Sequence, residues 1–140
     1  MMHSPATPVQ CAIGSLTVTM TPLNANVYDG CTTTSQMLLE KQYFGDLAGA
    51  GTGPMLSAMT DTEGSGAYVA MERLSGTLQG KQGSFVVQHA GTMSGGVDEL
   101  SIRIVPDSGS GELAGIVGTM AIRTEKGNQY YELHYRLPCK

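Results

Sequence analysis

Hydrophobic and polar positions alternate along most of this chain with a period of two, the spacing of a strand with one buried face. Between Val97 and Val105, Leu100, Ile102 and Ile104 share one face, and Glu99, Ser101 and Arg103 share the other. From Tyr130 to Leu137 the split is Tyr131, Leu133, Tyr135 and Leu137 against Tyr130, Glu132, His134 and Arg136. The same pattern predicts strands over 13–20, 33–44, 47–59, 67–74, 84–93 and 116–124. The segments between them are turn chemistry: Asp29-Gly30, Thr62 to Gly66, Ser94-Gly95-Gly96, Pro106 to Gly111 and Lys126-Gly127-Asn128. Glycine and asparagine supply positive φ there, and proline ends pairing. The one rival to a strand is a short helix over 36–42, where Met37-Leu38-Leu39-Glu40-Lys41 are good helix formers without a C-terminal cap.

Composition narrows this to a closed barrel, with an open sandwich as the alternative. The 140 residues suffice for a single domain with a sizeable core. Glycine takes 19 positions and charged residues only 14%, a balance that disfavours helical bundles, coiled coils and disordered tails. The segments Gly45-Asp46-Leu47-Ala48-Gly49, Gly76-Thr77-Leu78-Gln79-Gly80 and Gly111-Glu112-Leu113-Ala114-Gly115 all read G-x-L-x-G. As an anion-cradling loop the motif lacks a P-loop lysine. As structure, the leucine packs inward and the glycines let a sheet bend. Glycines inside strands favour closure, which hides every sheet edge. The expected fold is all-β, a small antiparallel closed β-barrel of about eight strands, with residues 1–10 a loose arm and 11–138 a single barrel domain.

The formal net charge of −4 gives no reason to expect a nucleic-acid or anionic-membrane partner. The first residues lack the basic and apolar regions of a signal peptide, and no run of apolar residues is long enough for a membrane helix. The cysteines at 11, 31 and 139 are odd in number and form no CxxC. Free thiols in a reducing cytoplasm are therefore the expectation. Three scattered histidines beside them offer no recognisable metal set, so neither a metal nor a cofactor is expected.

The stretches Gly83-Ser84-Phe85-Val86-Val87-Gln88-His89-Ala90-Gly91-Thr92 and Pro106-Asp107-Ser108-Gly109-Ser110-Gly111-Glu112-Leu113-Ala114-Gly115-Ile116, with the closing Tyr131 to Pro138, carry a resemblance. The chain resembles, over about residues 11 to 138, the bacterial proteins grouped as domain of unknown function 3224. That resemblance implies a small barrel similar to the allene oxide cyclase barrel. It implies no activity, because chemistry does not transfer with a fold, and no cyclase motif is matched residue by residue. The nine methionines, and Asn128-Gln129 where relatives are expected to carry a histidine, depart from the pattern.

Candidate chemistry concentrates in the hairpin over 67–93. A two-residue turn at Gly80-Lys81 sets Glu72 opposite His89, and a turn at Gln79-Gly80 keeps the two as diagonal neighbours on one face. A three-residue loop would bring Glu72 to Gln88 instead. On an inward face, Glu72 is expected to be a desolvated carboxylate of raised pKa, oriented by His89 or Gln88 and able to act as acid or base. The competing reading is an exposed cross-strand pair worth a few tenths of a kcal/mol up to ~1. Glu72 and His89 are the candidate catalytic residues, with Gln88, Tyr68 and Tyr135 as candidate ligand-binding residues. His134 and Arg136 fall on a solvated or interface face, and His3 lies in the arm.

Three functions fit these residues. The first is binding of a small apolar or amphipathic molecule in the barrel, favoured by the small residues Gly49, Ala50, Gly51, Gly53, Ala58, Ala67 and Ala70, which could leave space inside. Met37, Met55, Met59, Met71, Met93 and Met120 would fill the core or line such a cavity. The second is a cofactor-free isomerase or cyclase using a buried Glu72. The third is a solid barrel whose outer face builds a homo-oligomer, through an apolar patch around Leu133, Tyr135 and Leu137 or their neighbours. Small-molecule binding by a homo-oligomeric barrel is the leading expectation.

Overall fold

The structure is a computed structural model that describes residues 7–138. His3, Cys139 and the first six residues of the expected arm lie outside the described residues. Ten strands follow in order: β1 (Gln10–Pro22), β2 (Val27–Asp29), β3 (Thr32–Gly45), β4 (Leu47–Thr60), β5 (Gly66–Leu78), β6 (Lys81–Ser94), β7 (Val97–Ile104), β8 (Ser110–Gly111), β9 (Val117–Glu125) and β10 (Asn128–Arg136). Eight of them close an antiparallel barrel in the order β1-β10-β9-β7-β6-β5-β4-β3, with β3 returning to β1. β2 and β8 are short additions beside β3 and β6. Among the described residues no helix is long and apolar enough to cross a membrane.

Segment 36–42 is strand, not helix, because β3 is paired along both edges, by β1 and by β4. Two ladders of backbone hydrogen bonds outweigh a modest local helix preference. Its alternation turns Leu39, Lys41 and Tyr43 inward and leaves Glu40 and Gln42 exposed.

The β5–β6 hairpin reverses at Gln79-Gly80, with φ of +45° and +87°, the left-handed pair of a two-residue hairpin turn. Leu78 therefore pairs with Lys81, Ala70 with His89 and Glu72 with Val87. Glu72 and His89 are diagonal neighbours on the inner face, one of the two even registers that the sequence allowed.

The two ends of the barrel differ. At one end Leu47, Leu78 and Leu113, the leucines of the three G-x-L-x-G segments, are all buried. Leu47 and Leu78 face each other across β4 and β5. The long connection from β7 to β9 folds back over this end and buries Leu113 and Ile116 as a plug. Ser108 anchors that connection, accepting from the Val86 N–H (3.0 Å) and donating to the Val105 carbonyl (2.7 Å). Tyr131 fastens the β3–β4 turn: its hydroxyl accepts from the Leu47 N–H (2.8 Å) and donates toward the Phe44 carbonyl (3.0 Å).

The other end is open. The β7–β9 ladder consists of two residue pairs, Ile102 with Met120 and Arg103 with Thr119. Beyond Ile102, toward Leu100, no further residue pairs join the two strands.

Candidate functional site

Glu72 projects from the middle of β5 into the barrel and is wholly buried. Three side chains converge on it. Lys41 Nζ of β3 lies 3.0 Å from Oε1. His89 Nε2 of β6 lies 2.8 Å from the same oxygen. Tyr43 of β3 donates its phenol hydrogen to Oε2 at 2.6 Å. Tyr43 in turn packs edge-on against Tyr131, with ring centres 5.5 Å apart. Lys41 and His89 are themselves buried, and no buried side-chain nitrogen or oxygen among the described residues lacks a partner. A satisfied network of this kind is rigid, whereas a half-satisfied one would be costly.

The charge state of Glu72 departs from expectation. Burial alone pushes its pKa up, but the hydrogen bond from His89, the Lys41 charge and the Tyr43 hydroxyl together hold it below its ordinary value of 4.5. Glu72 is therefore an ionised acceptor near neutral pH, not a carboxylate of raised pKa. Desolvation is outweighed by the His89 bond together with Lys41 and Tyr43, and the last two come from a strand distant in sequence. An ionised carboxylate only accepts, so the His89 Nε2 atom carries the hydrogen in this pair. The Tyr43 phenol, buried and beside this charge, is pushed far up and stays protonated.

Above this network, at the open end, lies a cavity of about 460 Å³ to which all eight barrel strands contribute. Lys41 and His89 form part of its wall, and Glu72 does not. The rest of the wall is largely apolar: Val18, Leu39, Met55, Met93, Leu100 and Ile122, with Met20 and Met59 toward the mouth. Ser57, Thr124, Gln129 and Tyr68 add uncharged polar groups, and no carboxylate takes part.

The candidate residues separate accordingly. Glu72 and His89 meet as a hydrogen-bonded pair, and Tyr68 lines the cavity with its ring laid over Gly91, where an added Cβ would come within 2.5 Å of it. Gln88 is on the outer face, exposed and opposite Met71, because the two-residue turn gives even parity. Tyr135 is interior but sits at the plugged end, where its hydroxyl bonds Gln10 and Gln79. Neither Gln88 nor Tyr135 reaches the cavity. Leu133 and Tyr135 are core residues, as is Leu137, so no outer patch forms around them. The glycines of β4 do not leave space either, whereas Ala67 of β5 lines the cavity. A Cβ on Gly49 would meet the Ser75 carbonyl at 2.2 Å, and one on Gly53 would meet that of Met71 at 1.7 Å. Of the six methionines singled out, Met55, Met59 and Met93 line the cavity, Met120 joins the core and Met71 is exposed.

Lys41 and Tyr43 were missed by the sequence reading. The signal was present: both lie two apart on the face of β3 that carries Leu39, so a lysine stood on an apolar face. On the outside of the barrel, Cys11, Glu132 and His134 come together, their ligand atoms all within 4.8 Å of one another. This is the described cluster able to hold a cation, assembled because Cys11 of β1 pairs directly with His134 of β10. His134 Nε2 is 2.7 Å from Glu132 Oε1, and the Cys11 thiol is pushed up by the desolvation around it and by Glu132.

With this geometry in hand, comparison with known proteins adds a family and a fold. No curated protein matches the chain. A crystal structure from Shewanella oneidensis MR-1, described as a protein with unknown function from the DUF3224 family, superposes with a TM-score of 0.90 at 42% identity, covering 95% of this chain and all of that one. The model of that family, "Protein of unknown function (DUF3224)", matches residues 12–135. The chain thus belongs to the DUF3224 family, a family of β-barrel proteins of unknown function.

Proposed function

We propose that this protein binds a small amphipathic molecule in the open end of its barrel. The observation that carries the reading is the cavity of about 460 Å³ whose apolar wall ends on Lys41 and His89. A mostly apolar cleft with a few convergent polar groups is the usual form of a small-molecule site. The methionines suit this role, since their flexible thioethers adapt to irregular ligands. The Glu72 network supports it by holding Lys41 and His89 in fixed positions. Such preorganisation lowers the cost of ordering side chains on binding.

The test is native mass spectrometry of protein purified gently from its host, beside a Met55→Trp variant. Met55 is an inner-face residue opposite Ala70, so the larger side chain fills the cavity. Because the chain has no tryptophan, it also reports the polarity there. A reproducible extra mass per subunit in the wild type, absent from the variant, is the expected result. Extra mass retained in both proteins would place the molecule elsewhere and defeat the reading.

A second reading, a cofactor-free isomerase or cyclase, is favoured by the Glu72–His89 pair. In it the residue touching the substrate is His89, with its Nε2 hydrogen given to Glu72 and the ring facing the cavity, and Glu72 acts as its positioning residue. Proton transfer through His89 would carry solvent deuterium into a ligand recovered from the cavity. Equal incorporation by wild type and His89→Gln would dismiss it.

A further inference from the structure

We propose that the ligand carries an oxyanion at its inner end and an apolar tail toward the mouth, as a single-chain carboxylate does. This rests on the small-molecule reading above and names the chemical class that the site selects.

The argument begins with which charges a ligand can touch. Lys41 and His89 are in the cavity wall, and no carboxylate is. Glu72, the acid next to them, is fully engaged. Oε1 accepts from Lys41 and His89, Oε2 accepts from Tyr43, and the side chain has no exposure at all. A ligand at the floor of the cavity therefore meets the Lys41 side chain and the His89 ring and is shielded from the Glu72 carboxylate.

Lys41 has donors to offer. An ammonium carries three N–H groups and no acceptor, and the ion pair with Glu72 occupies one of them. An alcohol or amide oxygen can accept from the others, but an oxyanion forms charge-assisted bonds about twice as strong. The surrounding apolar wall lowers the local dielectric and sharpens that preference. A cationic head faces repulsion from Lys41 with no accessible acid in compensation.

The tail follows from the wall. Above Lys41 and His89 stand Leu39, Met55, Met93 and Ile122, with Leu100 beyond the point where the β7–β9 pairing stops at Ile102. A head on Lys41 sends its chain along this apolar path toward the mouth.

The experiment needs no variant to be decisive. Calorimetric titration of the wild type with decanoate, decanol and decylamine, each below its micelle concentration, varies the head on one tail. Decanoate is expected to bind roughly tenfold or more tightly than decanol, with decylamine weakest. Lys41→Met should erase the preference, and Lys41→Arg should keep it. Decanol binding as tightly as decanoate, or a decanoate preference that survives Lys41→Met, overturns the oxyanion assignment and leaves the cavity reading standing. If Lys41→Met does not fold, the wild-type series and Lys41→Arg decide. Failure of all three probes to bind the wild type overturns both readings.

Discussion

Gly51 and Glu72 stand on neighbouring strands so close that a Cβ on the glycine would lie 1.9 Å from Glu72 Oε2. The carboxylate that organises the barrel interior occupies the volume where any other residue at position 51 would keep its side chain. Glycine here is a packing requirement and not a backbone one.

It follows that Gly51→Ala should cost more than an ordinary overpacking substitution, whose price is about 1–3 kcal/mol, because it also forces Glu72 off Tyr43. Denaturant unfolding measures the loss directly. A change within about 0.5 kcal/mol, the range of a neutral surface substitution, would contradict the geometry.

Acid should weaken the fold through Glu72. Its pKa is lower in the folded state than its ordinary 4.5, so the folded state binds fewer protons in that range than the unfolded chain. The stabilisation is complete above the unfolded value and drains away as pH falls from about 4.5 through the folded value. Thermal melts from pH 7 to pH 2 should show the gap between wild type and Glu72→Gln narrowing across that window. A gap independent of pH would mean that Glu72 is not held ionised.

The ion pair itself predicts a non-additive pattern. Lys41→Met alone leaves Glu72 without its main cation, and removing one member of a buried pair typically costs about 3–5 kcal/mol. Glu72→Gln alone strands the ammonium. The double substitution removes both charges and should cost clearly less than the two single losses added together, as a double-mutant cycle would reveal. Simple additivity would contradict direct coupling across the 3.0 Å contact.

Stability and binding should separate at the two ends of the barrel. Leu113 is buried in the plug, and Leu113→Ala should destabilise by about 2–5 kcal/mol, as for other buried leucines. It lines no part of the open-end cavity, so decanoate affinity measured well below the melting temperature should not change. A large loss of affinity would show that the two ends are coupled.

The strands and their inward faces were legible because a strand's period of two is a local property. Leu100-to-Ile104 and Tyr131-to-Leu137 announce their buried sides without knowledge of any partner. The sequence allowed two even registers, each placing Glu72 and His89 on one face, and one odd register, and the structure takes an even one. Closure was readable from glycines within strands, although their purpose was not: Gly51 makes room for a carboxylate, and Gly49 and Gly53 let backbones approach.

The rest depended on register between strands far apart in the chain. Lys41 and Tyr43 reach Glu72 only after β3, β4 and β5 pair in one particular stagger, and no local pattern encodes that stagger. The Glu72 pKa is lowered by His89 and then by Lys41 and Tyr43, and the last two arrive only with that stagger. Cys11 and His134 became neighbours because the first and last strands of the barrel meet where it closes. Alternation sets which way each side chain points, since that is decided by the residue's own backbone. Which side chains then meet is decided by the packing of the whole sheet on itself.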